Sequence, residues 1–466
     1  MNMSNRNELL RKIPKIDEML LDGRLVFLLE KYPRAVIVDE LRTIIDNIRK
    51  GILADEITEM PSVEDILAML EKKTGANNQF SLRRVINATG VVLHTNIGRA
   101  CLSDKVCDHI KEIAGHYSTL EYDLKKGARG SRHDHVEKII CKITGAEAAM
   151  VVNNNAAATM LCLAALAKEK EVIVSRGELV EIGGSFRIPE IMEQSGAILK
   201  EVGATNKTHV KDYRKAYNPE TTGVLLKVHT SNYRVFGFTQ EVTLEEMVEL
   251  GKEMNLPVIY DMGSGLMVDL SRYGVEEPSV LAAMKTGIDL ILFSGDKLLG
   301  GPQMGILAGK KELVDKMKAH PLARAFRVDK MTLIAAEAVF REYMDLKQVQ
   351  ETNPVLKMIT ALPESMKAKA EALKEAIEMA APDFVCELEE CEDSVGGGSA
   401  PTSVLKGYSL KVTSEKLTAE KMERQLRKQK MPVIVTVYHE QVHLHVRTIT
   451  EEEIPMVAQS FAGIVK

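Results

Sequence analysis

The chain has 466 residues, which is too long for one ordinary hydrophobic core and predicts two or three domains. Hydrophobic residues make up 45% and charged residues 27%, as in water-soluble globular proteins. The net charge of −5 gives no overall attraction to nucleic acid, so any such binding requires a local basic patch. Aromatic residues are scarce and Trp is absent, which argues against a surface built on aromatic base stacking.

The sequence carries no signal for membrane insertion, secretion or metal binding. No apolar run reaches the length that spans a bilayer, and the first twenty residues are charged throughout and lack a signal-peptide core. The six cysteines form no CxxC pair and show no Cys/His metal spacing. We therefore expect a cytoplasmic protein with reduced cysteines, no metal and no membrane contact.

Residues 1–80 predict a small helical domain. The segments IDEMLLDGRLVFLLEKY, AVIVDELRTIIDNIRKGI and SVEDILAMLEKK carry apolar residues at helical spacing, and Ser62 is the expected N-cap of the third. Either a solvated charged face or an RNA-binding face accounts for the basic residues that alternate with acids here. Those basic residues are Arg6, Arg11, Lys12, Lys15, Arg24, Lys31, Arg34, Arg42, Arg49 and Lys50.

Residues 81–330 predict the large domain of an α/β protein. Short β-branched runs alternate with helical stretches, and the runs are AAMVVN, EVIVSRG, GAILKEVG, TGVLLKVHT, LPVIYDMG, LILFSGD and MGILAG. Such alternation is typical of a doubly wound, mostly parallel sheet. In these sheets the site lies at the carboxyl ends of the strands, so the informative residues should directly follow the runs.

Residues 331–466 predict a linking helix and a small α/β domain. The helical stretch extends from Thr332 to about Ala380, with a break at Pro354. The segments FVCELEECEDSV, SVLKGYSLKVT and MPVIVTVYHEQVHLHVRTI predict strands, and AEKMERQLRKQ predicts a helix. The segment GGGS, from Gly396 to Ser399, predicts a turn or flexible loop between strands.

The segment LILFSGDKLLGGPQMG contains the first candidate catalytic residue, Lys297. An apolar strand ends at Ser294, and Asp296 and Lys297 follow at once. A lysine in this place is expected to be partly desolvated, which lowers its pKa and makes the amine nucleophilic. Taken alone, the segment is also compatible with a surface lysine in a glycine-rich turn.

Two further segments favour pyridoxal 5′-phosphate as the cofactor. In VIYDMGSG, Asp261 ends another apolar strand, where a carboxylate can pair with the pyridinium nitrogen; an N-cap or a metal ligand also fits that place. In AAMVVNNNAAATML, the residues Asn154, Asn155 and Ala156 stand where a strand gives way to a helix, whose free N–H groups suit a phosphate. The order of strand–Asp and then strand–Lys suits this cofactor class.

Seven segments together resemble bacterial selenocysteine synthase, the family of L-seryl-tRNA(Sec) selenium transferases. They are LRRVINATGVVLHTNIGRA, KKGARGSRHDHVE, VVNNNAAA, LKVHTSNYRVFGFT, VIYDMGSG, FSGDKLLGGPQMG and VGGGSAP. They occur in order over essentially the whole chain, including the helical N-terminal region. The resemblance implies the fold-type-I architecture of pyridoxal-phosphate enzymes, with small domains at both ends of the large one.

The resemblance also implies a reaction. The family eliminates the hydroxyl of serine esterified to the selenocysteine tRNA and adds selenium from selenophosphate, giving selenocysteinyl-tRNA. Lys297 would bind the cofactor as a Schiff base and carry protons, and Asp296 either tunes this lysine or is a structural turn residue. The implied cofactor-binding residues are Asn154, Asn155, Ala156, His229, Asn232, Asp261, Ser294 and Lys297.

Three arginines, Arg99, Arg324 and Arg327, resemble family positions that bind the anionic selenium donor. Guanidinium groups suit a phosphate-like dianion. A seryl ester has no free carboxylate for an arginine to bind, so these arginines must serve the donor or the tRNA backbone. A surface salt bridge is the alternative for each of them, and Arg129 and Arg132 either reach a phosphate or belong to a solvated basic loop.

The partners follow from the same resemblance. The N-terminal domain resembles the tRNA-recognition module of the family, and the family forms large ring-shaped homo-oligomers, commonly decamers. Two other interpretations remain open. One is a related pyridoxal-phosphate ammonia-lyase or β-eliminating enzyme that acts on a free small amino acid or amino-sugar acid and needs no N-terminal domain. The other is a non-catalytic RNA-binding or nucleotide-binding protein, which predicts no Schiff base.

Overall fold

The computed structural model describes residues 3–78, 80–182 and 186–464. It divides the chain into two compact units, Met1–Arg84 and Val85–Lys466. The predicted boundary after residue 80 lies near this division. The predicted boundary after residue 330 falls inside the second unit and stays a prediction.

The first unit is helical. Its helices are α1 (Met3–Arg11), α2 (Ile16–Leu20), α3 (Val26–Lys31), α4 (Arg34–Leu53) and α5 (Val63–Asn77). Helix α4 buries one apolar stripe, which includes Ile37, Leu41 and Ile45, in the core of the unit. Ser62 caps α5 as predicted: its hydroxyl accepts from the Asp65 N–H at 3.1 Å, and the Asp65 carboxylate accepts from the Ser62 N–H at 3.0 Å.

The second unit contains two main sheets. Its strands are β1 (Ile86–Ala88), β2 (Tyr122–Asp123), β3 (Ala128–Arg129), β4 (Ala148–Val152), β5 (Glu171–Ser175), β6 (Glu181–Ile182), β7 (Phe186–Arg187), β8 (Ile198–Val202), β9 (Thr222–Val228), β10 (Val258–Gly263), β11 (Leu290–Ser294), β12 (Gly305–Gly309), β13 (Phe384–Ser394), β14 (Val404–Ser414), β15 (Val433–Tyr438) and β16 (Gln441–His445).

Helices of this unit cover both faces of the large sheet and one face of the small sheet. They are α6 (Asp104–Ala114), α7 (Asp134–Thr144), α8 (Asn155–Leu166), α9 (Ile188–Ser195), α10 (Val210–Ala216), α11 (Leu244–Met254), α12 (Val280–Lys285), α13 (Lys311–Ala319), α14 (Pro321–Ala325), α15 (Lys330–Glu342), α16 (Val349–Thr352), α17 (Pro354–Thr360), α18 (Pro363–Ala380), α19 (Ala419–Arg427) and α20 (Ile454–Ile464).

None of the described helices combines the length and apolar character that crossing a bilayer requires. The predicted linking helix is divided into four, α15 to α18. Pro354 and Pro363 each occupy the first position of a helix, where no N–H donor is needed, and so they start helices rather than interrupt one.

The seven predicted strands of the large domain form one sheet in the order β4-β12-β11-β10-β9-β5-β8. Only β12 runs antiparallel to its neighbours, so the prediction of a mostly parallel sheet is confirmed. Alternate residues of each strand enter cores on opposite faces. On β11, Ile291 and Phe293 lie in one core, and Leu290 and Leu292 lie in the other.

The small sheet has the order β1-β15-β16-β14-β13. Its first strand comes from the beginning of the unit: β1 runs parallel to β15 with Ile86 opposite Val433, although some 350 residues separate them. Helices α18 and α20 pack on one face. The predicted glycine turn joins β13 to β14, and Gly396 and Gly397 adopt positive φ there.

Candidate active site

Lys297 lies just after β11, at the carboxyl edge of the large sheet, and is 4% exposed. Desolvation lowers the pKa of its amine, and the Arg99 guanidinium lowers this pKa further, whereas Asp296 opposes the shift. More of the amine is therefore neutral and nucleophilic near neutral pH than in an exposed lysine. Ser294, the last residue of β11, is buried beside it.

Asp296 holds a cation next to the lysine. Arg99 Nη1 donates to Asp296 Oδ2 at 2.8 Å, and both side chains are largely shielded from solvent. Arg99 adopts a φ of 59°, and its backbone N–H donates to the His94 carbonyl at 3.1 Å. The segment that follows β1 therefore reaches over to the lysine and presents a guanidinium there.

Asp261 lies on the neighbouring strand β10 and is also 4% exposed. Its oxygens accept hydrogen bonds from Asn155 Nδ2 at 2.7 Å and from Thr159 Oγ1 at 2.9 Å. Burial raises the pKa of this carboxyl, because these two donors are neutral and only partly offset the desolvation. Asp261 is thus a buried hydrogen-bond acceptor without a directly bound cation among the described residues.

The turn from β4 to α8 is built to receive a ligand. Asn154 caps α8 by accepting from the Ala157 N–H at 2.8 Å, which leaves the first N–H groups of the helix, at Asn155 and Ala156, without an intrahelical acceptor. Asn155 Oδ1 is buried and has no hydrogen-bond partner. Gly305 of β12 lies against this turn so closely that a Cβ would overlap the Asn154 carbonyl oxygen.

His229 follows β9 and is fixed from two sides. Its backbone N–H donates to the Asp261 carbonyl at 2.8 Å, and its ring Nε2 donates to Glu277 Oε1 at 3.1 Å. The Glu277 side chain is fully buried, and its second oxygen has no partner. Asn232, four residues from the end of β9, donates to the Glu181 carbonyl at 2.8 Å, while its own Oδ1 is buried and unpaired.

The two predicted donor-site arginines beyond Arg99 lie after α13. Arg327 Nη1 donates to Glu121 Oε1 at 3.3 Å. The same carboxylate accepts from Arg132 at 2.6 Å and from Arg129 at 3.2 Å, and these guanidinium groups keep the pKa of Glu121 low. Arg324 is exposed at the end of α14. Arg99 and Arg327 therefore have different carboxylate partners.

Two residues that contact the predicted site were missed by the sequence interpretation. Thr159 stands four residues after Asn155, so both side chains face Asp261 from one side of α8. That helical spacing was the one available signal. Glu277 lies in a loop before α12, outside every motif, and no local signal marks it.

The described residues contain one group of potential metal ligands, Cys391, Asp393 and His445, in the small sheet. Asp393 Oδ2 accepts from Arg447 Nε at 2.8 Å, and Asp393 Oδ1 accepts from His445 Nδ1 at 2.8 Å. The guanidinium already neutralises this buried carboxylate. The group is therefore a hydrogen-bond network that joins β13 to β16 and to the segment that follows β16.

The comparison with solved structures gives the fold. The chain is similar to D-glucosaminate-6-phosphate ammonia-lyase, with a TM-score of 0.56 and 20% identity, covering 85% of this chain and 97% of that one. This architecture, with Lys297 and Asp261 at the carboxyl edge of its large sheet, is that of the fold-type-I pyridoxal-phosphate enzymes, as the sequence predicted.

The sequence comparisons give the family. The model described as L-seryl-tRNA selenium transferase matches residues 85–450, and the one described as selenocysteine synthase N terminal matches residues 10–49. The chain is 48% identical to an L-seryl-tRNA(Sec) selenium transferase of Clostridium botulinum (strain Loch Maree / Type A3), covering 99% of this chain and 100% of that one. It is 47% identical to that of Carboxydothermus hydrogenoformans over 96% of each. The chain therefore belongs to the L-seryl-tRNA(Sec) selenium transferase family.

Proposed function

We propose that this chain converts seryl-tRNA(Sec) into selenocysteinyl-tRNA(Sec), with pyridoxal 5′-phosphate as cofactor and selenophosphate as the selenium donor. The observation that carries the proposal is the buried Lys297 just after β11 together with the buried Asp261 on the adjacent strand β10, in a chain whose full-length relatives bear this name.

The residues around Lys297 fit the cofactor. Asp261 lacks a cation, and a protonated ring nitrogen supplies one. Asn155 Oδ1, Ser231 Oγ and Ser264 Oγ are buried without hydrogen-bond partners, so the site holds more polar groups than the chain itself satisfies. The start of α8 offers N–H groups and the positive end of the helix dipole to a phosphate. Together these features match an amine-reactive, phosphorylated, aromatic ligand.

The cofactor withdraws electrons from the substrate carbon atoms when it is bound. Lys297 would supply the amine that holds it, and the same amine would be placed to carry protons at the reacting carbons. Asp261 would keep the ring nitrogen protonated, and Asn155 and Thr159 orient its carboxylate. Asn154, Asn155, Ala156 and Ser294 are the groups proposed to hold the phosphate.

Asp296 and Arg99 are proposed to act on the departing hydroxyl and the arriving selenium. Their ion pair lies beside the lysine, so a cation is available where an anionic donor must approach. Arg324 and Arg327 are proposed to bind the same donor. Arg327 meets Glu121 in this structure, and an anion that binds Arg327 has to compete with that carboxylate.

The helical unit Met1–Arg84 is proposed to recognise the tRNA. Six of its ten predicted basic residues have carboxylate partners, as Arg6 with Asp55 and Arg24 with Glu64 do. Arg11, Lys31, Arg34 and Lys50 have no ion pair among the described residues and are the better candidates for phosphate contacts. Deleting residues 1–75 should abolish tRNA binding and keep the absorbance of the bound cofactor; unchanged tRNA affinity would contradict the assignment.

We also propose that the chain forms a homo-oligomer, of ten subunits by family resemblance, and that it is located in the cytoplasm. Large apolar side chains on the surface of the second unit support association, since isolated exposed ones are common but several in one region are not. Tyr117, Tyr122 and Leu124 are such residues within eight positions of one another.

The decisive experiment measures turnover of seryl-tRNA(Sec) with selenophosphate. Lys297→Ala should lower activity by at least about 1000-fold, because nucleophile and proton carrier are lost together. Arg327→Ala should raise the KM for selenophosphate with the bound cofactor unchanged. Arg341→Ala, which breaks an exposed pair with Glu337, is the matched control.

The outcomes separate the claims. Full activity of Arg327→Ala would remove the donor-site proposal and leave the cofactor proposal standing. Full activity of Lys297→Ala would overturn both. Turnover of free serine or an amino-sugar acid, with none of seryl-tRNA(Sec), would favour the ammonia-lyase interpretation, whose fold this chain shares.

A further inference from the structure

A cavity of about 470 Å³ lies at the carboxyl edge of the large sheet. The loops after β5, β8 and β9 form its walls, with Gly177, Thr205, Lys207 and Tyr233 among the lining residues. These three strands are adjacent in the sheet, so the cavity lies along the same edge of the sheet as Lys297 and Asp261.

The cavity adjoins the lysine site at His229. His229 lines the cavity and is bonded to Asp261 through its backbone. A Cβ on Gly263 would lie 3.9 Å from Lys297 Nζ and 3.7 Å from Ser231 Oγ, so the amine and this buried, unpartnered hydroxyl face the same small space. The segment from His229 to Tyr233 therefore leads from the lysine site to the cavity.

The walls combine cations with aromatic rings. Lys207 and Arg234 line the cavity, and neither has a carboxylate partner among the described residues. Lys207 Nζ lies 5.8 Å from the ring centroid of Phe238, an 88% exposed side chain one residue before Thr239, which lines the cavity. Lys227 and Glu178 form an ion pair at 3.0 Å, and Glu241, which also lines the cavity, lies 3.8 Å from Lys227. With Lys207 and Arg234 the lining holds three cations and two carboxylates, so it carries a net positive charge.

From this arrangement we infer that the cavity binds the 3′-terminal nucleotide of the tRNA, the one whose ribose carries the serine. The inference rests on the proposed function, because a serine ester held at Lys297 places the esterified ribose within one bond of the reacting amino acid. A cavity of this volume holds one nucleotide. It does not require the extended stacking surface that the scarcity of aromatic residues argues against.

The chemistry assigns a role to each wall. Single-stranded RNA is bound by stacking of bases on aromatic rings and by cations at its phosphates. Phe238 and Tyr233 are the rings available to the base, and Lys207 is the cation available to the 5′-phosphate of the nucleotide. These residues bind substrate; the reacting atoms stay at Lys297.

Two amines test the inference on the full-length holoenzyme. One is serine methyl ester, and the other is 3′-seryl-amido-3′-deoxyadenosine 5′-monophosphate, which keeps the nucleotide and resists hydrolysis. Binding of each is followed by the change in cofactor absorbance. The wild type should bind the nucleotide compound at least about tenfold more tightly than the methyl ester, since stacking of one base contributes about 1–3 kcal/mol.

The variants Phe238→Ala and Lys207→Ala should each reduce that preference by about fivefold or more while binding of serine methyl ester stays unchanged. Lys215→Ala, at an exposed lysine of α10 outside the cavity, is the control and should keep the full preference. Sedimentation of each variant records whether Phe238 instead contacts a second copy of the chain.

The outcomes are distinct. Equal affinity of the wild type for the two amines would overturn the nucleotide site and leave the proposed function intact. A change in subunit association with Phe238→Ala, at unchanged nucleotide preference, would also overturn it. If neither amine changes the cofactor absorbance, both the proposed function and this inference are wrong.

Discussion

The large sheet and the small sheet each bury an aspartate to 4% exposure, but of these two only the aspartate in the small sheet is hydrogen-bonded to a cation among the described residues. Asp393 is bonded to the buried Arg447 guanidinium and to His445. Asp261 is bonded to the neutral side chains of Asn155 and Thr159, and its pKa is raised. The carboxylate that stabilises the fold is neutralised by a cation of the chain itself. The carboxylate at the candidate site has no such partner in the described part of the chain, so a cationic group of a ligand can bind it.

The strongest test of this contrast is Asp393→Asn, which should lower the free energy of unfolding by about 3–5 kcal/mol, because Arg447 would stay buried without a counter-charge. Denaturant unfolding measures the loss, and activity per folded molecule should be unchanged. Asp383→Asn is the control: it breaks an exposed pair with Lys416 and should cost less than about 1 kcal/mol. Equal stability of the two variants would contradict the structural role of Asp393.

Asp261→Asn should have the reverse pattern. Without the carboxylate the protonated ring nitrogen of the cofactor loses its counter-charge, and turnover should fall by about 100-fold or more, a barrier increase of about 3 kcal/mol. The free energy of unfolding of the cofactor-free protein should not decrease, since an unpaired buried charge is removed. Turnover and denaturant unfolding of the same preparations measure both effects. A large stability loss with normal turnover would reverse the two roles.

The smallest expected effect is a pH dependence of the cofactor-free protein. The folded pKa of Asp261 lies above its unfolded value, so its contribution to stability is complete below about pH 4 and is lost as the pH rises through the folded pKa. The Asp261→Asn variant has no carboxyl group to ionise at this position, so it does not lose this stability as the pH rises. Differential scanning calorimetry should therefore show the melting temperature of the variant rising relative to that of the wild type as the pH increases from about 4 to neutrality. A difference that does not change with pH would show that Asp261 is already neutralised.

Much of the large domain could be predicted because its signals are local. β-branched runs indicated all seven strands, and Lys297 and Asp261 were found because each directly follows such a run. The partners of these residues could not be found in that way. Arg99 reaches Asp296 across 197 positions, and Glu277 reaches His229 from an unpatterned loop. Side-chain pairing at such separations depends on how the strands are ordered, and no periodicity encodes that order.

The small domain was predicted less completely for the same reason. Its helices and three long strand segments have clear patterns, but β1 is a three-residue strand that joins this sheet from the far end of the unit. A run as short as INA carries too little information to name its partner. Only the folded sheet shows that residues 86–88 belong with residues 433–435 rather than with the domain they precede.

The pairing of β1 with β15 sets an order of events during synthesis on the ribosome. Ile86 is made early, but the Pro432 carbonyl that accepts its N–H emerges only when more than nine-tenths of the chain has been translated. Val92 and Leu93 can bond to the Ser394 and Val395 carbonyls before that, but β1 itself has no strand partner until β15 has been made. All seven strands of the large sheet are complete by Gly309, so that sheet can form on the ribosome long before β1, the first strand in sequence, can join the small sheet.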